Sequence, residues 1–137
     1  MAFEAREAKV ALVSDVANDL RTIANESDIS IIILNLTQNA IHAMPKGGTL
    51  TITGRRLGRF VELDFADTGV GIAADDLQKI FWPFWSRRAD GNPGTGLGLS
   101  IVQAIINRLG GSISVASTED AGTTFTVKFP DTELEPS

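Results

Sequence analysis

Asn35, Asn39 and His42 follow one another at intervals of four and three residues. At about 100° per residue these positions fall within roughly 60° of one helix circumference. The surrounding stretch is apolar, so the three form a polar stripe. A solvent-facing stripe is usually written with Glu, Lys and Arg, which favour helix more than Asn does. Two asparagines here point instead to amide oxygens aimed at a ligand. Downstream, Asp67-Thr68-Gly69-Val70-Gly71-Ile72 joins a carboxylate to two glycines, which allow tight turns and close approach of a bound group. About twenty-five residues later, Gly94-Thr95-Gly96-Leu97-Gly98-Leu99-Ser100 leads into a second helical pattern. N–H groups and the positive dipole end at a helix start favour anionic phosphate. No Gly-Lys-Ser/Thr follows, so this block is not a P-loop. In this order the blocks describe a nucleotide pocket, with an acid for the base and glycine backbone near phosphate.

Gly69-Val70-Gly71-Ile72-Ala73-Ala74 also fits the dinucleotide fingerprint G-x-G-x-x-A. It lies mid-chain, however. No parallel strand follows the next helical stretch, and a Gly/Pro-rich segment comes instead. An acid at the right distance, Asp90, is not at a strand end. A plain Asp-Thr-Gly turn would leave the second glycine block unexplained.

The elements that must position these residues follow from periodicity. Val10-Ala11-Leu12-Val13 and the shorter Arg21-Thr22-Ile23 read as strands. Ser27 or Asp28 can N-cap a helix whose apolar residues recur at Ile29, Ile32, Ile33, Leu36, Ala40 and Met44. Pro45 and Gly47-Gly48 end it. Leu50 and Ile52, then Val61, Leu63 and Phe65, alternate on either side of a turn at Gly58, which signals a hairpin. Ala73 to Ile80 reads as a short helix, residues 82–96 as a loop, and Leu97 to Leu109 as a helix capped by Gly110-Gly111. Ile113/Val115 and Phe125/Val127/Phe129 close the sheet. Grouped rather than alternating elements predict an α+β, two-layer α/β sandwich. It has a mainly antiparallel mixed sheet and about three helices on one face. Residues 1–8 read as the stub of a preceding helix or linker, 9–130 as the domain, and 131–137 as a disordered acidic tail.

The chain has 137 residues, one domain by length, and 43% of them are hydrophobic, enough for a core. Having no cysteine, it has no disulfides or thiolate metal sites, and one histidine rules out a multi-histidine site. No apolar run reaches the roughly 18 residues of a membrane span, and no signal-peptide pattern opens the chain, so a cytosolic location is expected. A net charge of -5 argues against nucleic-acid binding. Phosphate would then be held by backbone N–H groups, a few basic side chains and a cation.

The three blocks, in this order and spacing, resemble the catalytic, ATP-binding domain of sensor histidine kinases, within the gyrase, Hsp90, histidine kinase and MutL superfamily. The resemblance runs from about Lys9 to Pro130. It implies that Asn35 and Asn39 serve as catalytic Mg²⁺ ligands, with neutral amides sufficing because Mg²⁺ keeps water and phosphate in its shell. Asp67 would accept a hydrogen bond from the adenine amino group and repel guanine O6. The wider ATP site would comprise Asn35, Asn39, His42, Ala43, Asp67, Gly69, Gly71, Ile72, Phe84, Arg87, Arg88, Thr95, Gly96, Leu97, Gly98 and Leu99. Phe81-Trp82-Pro83-Phe84 matches a Phe-x-Pro-Phe segment that anchors the ATP lid; core packing is the simpler role for Phe81 and Phe84. Trp82 and Trp85 are candidates to face a partner. Arg87 and Arg88 reach a phosphate or an acceptor carboxylate, or remain solvated. His42 has two readings, a phosphate-side contact or surface exposure; it lacks the setting of a phosphoacceptor.

The short lid and the Ala43-Met44 helix end resemble the nitrogen-regulation type. Gyrase-like and Hsp90-like ATPases carry a water-activating Glu where this chain has Asn35, a poor general base. The resemblance therefore implies transfer of the γ-phosphoryl of Mg-ATP to a histidine on a separate dimerisation domain, and signalling onward to a response regulator. This chain lacks that acceptor helix, so it is expected to be monomeric, to insert in no membrane, and to be inactive alone. A free-standing anti-sigma-factor-type serine kinase of the same fold, or a binding-only ATP module, is the alternative.

Overall fold

The computed structural model describes residues 10–16, 26–83 and 98–130. Five strands, β1 (Val10–Val16), β2 (Gly48–Leu57), β3 (Phe60–Asp67), β4 (Ser112–Thr118) and β5 (Gly122–Pro130), form one sheet in the order β1-β2-β3-β5-β4. Among the described residues, only β1 and β2 run parallel; the other three pairings are antiparallel. Two helices, α1 (Glu26–His42) and α2 (Gly98–Arg108), accompany it.

Local sequence explains most of this. Leu57 pairs with Phe60 across a two-residue turn in which Gly58 takes φ 62°, a left-handed conformation that costs glycine little. Alternation then sends Val61, Leu63 and Phe65 inward, and antiparallel register sets Phe129, Val127 and Phe125 beside them. Ile32, Leu36 and Ala40 of α1, with Val102, Ile105 and Ile106 of α2, complete the same buried cluster. Leu36 and Ile106 are essentially sealed from water; truncating either to Ala should cost about 2–5 kcal/mol. The helices run antiparallel. Gly98, at the start of α2, lies by Asn35, while Arg108, at its end, reaches Asp28 at 2.8 Å.

Several expectations need correcting. Helix α1 begins at Glu26, so Ser27 and Asp28 lie within its first turn; the Asp28 carboxylate meets Arg108 instead of serving as the N-cap. Strand β1 runs on to Val16, carried by parallel pairing to β2. Ala73–Ile80 is not a helix but a run of turns, closed largely by three-residue bonds such as Asp76 N to Ala73 O (2.9 Å) and Lys79 N to Asp76 O (2.8 Å). A segment this short lies below the length at which helix sustains itself, so tertiary contact decides its shape. Ile80 is buried, and Phe81 meets Phe125 edge-on with ring centroids 6.5 Å apart. The described residues thus contain two helices, not three. The expected strand at Arg21–Ile23 and the tail at 131–137 lie outside the described residues. Among those described, no helix is long and apolar enough to cross a membrane.

Candidate functional site

Asp67 ends β3, buried, between Leu50 of β2 and Thr123 of β5. Its Oδ1 accepts from the Gly69 N–H at 2.9 Å and the Thr123 N–H at 3.2 Å. Both bonds fall on one oxygen, so Oδ2 retains its acceptor capacity. Burial raises the carboxyl pKa above its ordinary value, and the two amide bonds only partly oppose this. A ligand N–H reaching the carboxylate would relieve that desolvation.

The turn after Asp67 is pinned to the end of the asparagine helix chiefly by backbone. Val70 N–H donates to Ala43 O at 2.9 Å, one residue past the end of α1. Gly69 packs so tightly here that a Cβ would collide with Ala43 O. Gly71, at φ 76°, lies against Thr118 O, and the Ile72 N–H donates to Ser117 Oγ at 2.8 Å. The Asp120 N–H donates to Val70 O at 2.7 Å. On the other flank, Thr68 Oγ1 accepts from the Thr49 N–H at 3.0 Å and donates to Met44 Sδ at 3.7 Å.

On α1, Asn35 Nδ2 donates to Ile31 O at 2.8 Å, one turn back. This bond orients the amide and leaves Oδ1 turned outward, where a Cβ on Gly98 would lie 3.0 Å from it. The start of α2 and the asparagine stripe therefore meet. Asn39 and His42 are half-buried on the same helix; His42 is engaged in an interaction of its own. Leu99 buries its side chain in the core, so only its backbone is left for a ligand. Ile72 also packs partly against the core. Thus Asn35, Ala43, Asp67, Gly69, Gly71, Ile72 and Gly98 are tied together by contacts on these two helices and the turn. Phe84, Arg87, Arg88, Thr95, Gly96 and Leu97 lie outside the described residues.

A sequence profile for histidine kinase-, DNA gyrase B- and HSP90-like ATPases matches residues 24–133. The chain belongs to this ATPase family. Within it, similarity is to histidine kinases. The catalytic domain of histidine kinase ThkA is 32% identical, with a TM-score of 0.82, covering 95% of this chain and 86% of that one. Full-length ShkA, solved in complex with AMPPNP, is 31% identical with a TM-score of 0.83, covering all of this chain and 29% of that one. The sensor histidine kinase ZraS of Escherichia coli K12 is 41% identical over 107 residues, 78% of this chain and 22% of the relative. ZraS of Salmonella typhi is 39% identical over 129 residues, 93% of this chain. The chain thus spans only 22% and 27% of the length of these two curated relatives.

The fold of this ATPase domain also brings in two residues that sequence reasoning missed. Thr123 donates its N–H to Asp67, and Ser117 holds Ile72. A signal was present. Ser117 continues the inward-facing positions Ile113 and Val115, and Thr123 precedes Phe125, Val127 and Phe129 in the same phase. Hydroxyls stand where the alternation calls for apolar side chains, and both sit at the strand ends nearest Asp67.

Proposed function

We propose that this domain binds Mg-ATP and donates its γ-phosphoryl group to a histidine on a dimerisation domain of the same polypeptide. The observation that carries the reading is convergence. The Asp67 turn is bonded to the end of α1 through Ala43 and Val70, while Gly98 at the start of α2 abuts Asn35 on the same helix. Asp67 supplies an acceptor for the adenine amino group, and the α2 start supplies N–H groups for phosphate.

Asn35 and Asn39 would hold Mg²⁺. The fit rests on chemistry: Asn35 Oδ1 is a neutral, hard oxygen oriented by the bond from Nδ2 to Ile31 O. Among the described residues no group of three or more His, Cys, Asp or Glu is placed to hold a metal by itself; a Mg²⁺ shell completed by phosphate oxygens and water requires none. The ion would neutralise phosphate charge. The protein's own part is positioning, which dominates phosphoryl transfer. Asn35 offers no basic group to activate water, which favours transfer to an acceptor over hydrolysis.

Ile31 and Leu34 on α1 and Ile101 on α2 are exposed apolar residues between the Asn35–Gly98 contact and the Asp28–Arg108 pair. An acceptor helix docking there would meet the phosphate end of the site. A response regulator downstream and a cytoplasmic location complete the proposal. The similarity to sensor histidine kinases favours it over an anti-sigma-type serine kinase.

Calorimetry with and without Mg²⁺ tests the binding half: ATP and ADP should bind far more tightly than GTP, and equal affinities would refute the adenine assignment. Labelled phosphate should then appear on a cognate histidine domain supplied in fusion or in trans.

A further inference from the structure

Ser117 Oγ sits at the centre of three hydrogen bonds. The Ile72 N–H donates to it at 2.8 Å, Gly122 O lies 3.1 Å away, and Thr123 Oγ1 lies 2.7 Å away. A serine hydroxyl has one hydrogen. All three bonds form together in only one way: Ser117 donates to Gly122 O, and Thr123 must donate to Ser117. The Thr123 hydrogen is then consumed within the protein, and its Oγ1 offers only lone pairs to anything else. Thr123 is the register partner of Asp67, its side chain on the same face of the sheet. The Asp67 carboxylate, when ionised, is also acceptor-only.

We infer that Ser117 is a specificity-determining positioning residue. By taking the Thr123 hydrogen it makes the base-reading wall, Asp67 and Thr123 together, an acceptor-only surface that matches an exocyclic amino group and opposes a carbonyl. Ser117 does this without touching the base. The inference rests on the adenine-nucleotide reading above and deepens it. Asp67 alone would favour an amino group, but a neighbouring threonine able to turn its hydrogen outward could donate to a carbonyl oxygen and weaken the discrimination. Ser117 removes that option and, through the Ile72 N–H, keys it to the position of the glycine turn.

ADP and IDP make the test, because they differ only at the C6 substituent and the N1 proton. Wild-type protein should prefer ADP. Ser117→Ala frees the Thr123 hydrogen, so the ADP:IDP affinity ratio should fall by about tenfold, the scale of one neutral hydrogen bond. Ser117→Thr keeps a hydroxyl and should restore most of the ratio. In a Thr123→Val background, Ser117→Ala should leave the ratio where it was. A purely structural role would weaken both nucleotides by the same factor; an unmoved ratio in Ser117→Ala with ADP still bound overturns the inference. If Ser117→Ala fails to fold, Thr123→Val alone decides, because losing one acceptor should lower the ratio and an unchanged ratio overturns the relay. Wild-type protein that binds neither nucleotide would instead overturn the parent reading.

Discussion

The two ends of the site are built differently. At the proposed base end, Asp67, Gly69, Val70, Ile72, Ser117 and Thr123 are interlocked by bonds of 2.7–3.2 Å across three strands and a turn. At the proposed phosphate end, Asn35 is steadied by its own helix and meets α2 through the small Gly98. A base has a fixed shape and can be read by a finished surface. On the proposed reading, a triphosphate with its cation and an arriving acceptor would have to be accommodated as they move, which suits an end formed by side chains on two helices. Mutations that disturb the backbone packing of the base end, as at Gly69, should therefore change stability and affinity together. Those at the phosphate end should change chemistry with little effect on folding.

The largest effect is expected at the phosphate end. Asn39→Ala, joined to a cognate histidine domain, should lower phosphotransfer by more than about 100-fold, beyond the loss typical of outer-shell partners. Its melting transition should stay cooperative. Near-normal transfer of labelled phosphate would remove Asn39 from the metal site; a lost transition would give it a structural role.

Gly69→Ala probes the opposite end. The new methyl meets Ala43 O, a backbone atom that cannot turn aside. We expect a loss of about 1–3 kcal/mol in denaturant unfolding, with nucleotide affinity falling in parallel. Unchanged stability would mean that the turn and the end of α1 are less firmly joined than the Val70–Ala43 bond implies.

Asp67→Asn should split affinity from stability. Binding of ADP should weaken by roughly 1–3 kcal/mol, while the ligand-free protein becomes more stable near neutral pH. The sign follows from the raised carboxyl pKa. Between 3.8 and that raised value the folded protein binds more protons than the unfolded chain, so wild-type stability falls as pH rises through this window. The Asn variant lacks this loss, and its advantage should shrink as pH drops toward 3.8. Melting curves across pH check it; an advantage that grows on acidification would contradict the assignment.

Arg108→Ala should do least. The arginine is largely exposed, so breaking its pair with Asp28 should cost about 0.5–1 kcal/mol and leave nucleotide affinity unchanged. A large affinity loss would show that the relative placement of α1 and α2 is set by this pair rather than by the core.

What the sequence revealed tracks the range of the interactions involved. The hairpin at Gly58, the inward phase of Phe65 and Phe125, and the α1 stripe are local periodicities, and all were legible. The segment from Ala73 to Ile80 was misjudged because helical spacing without enough length leaves the outcome to distant partners such as Phe125. Asp28 was misread as a cap because its partner lies 80 residues away. At the site, Asp67, Gly69 and Gly71 stood out by type. Ser117 and Thr123 did not, because a hydroxyl in a strand gains meaning only from register, and register is a property of two strands.

Among the described strands, β1 lies at the sheet edge, joined to β2 and two places from the strand that carries Asp67. Mechanically this makes it a fuse. Tension entering the chain ahead of Val10 would load the β1–β2 pairs first, and then α1, the next described element along the chain. While those pairs hold, a pull arriving through this edge would not reach α1 or the Asp67 turn bonded to its end.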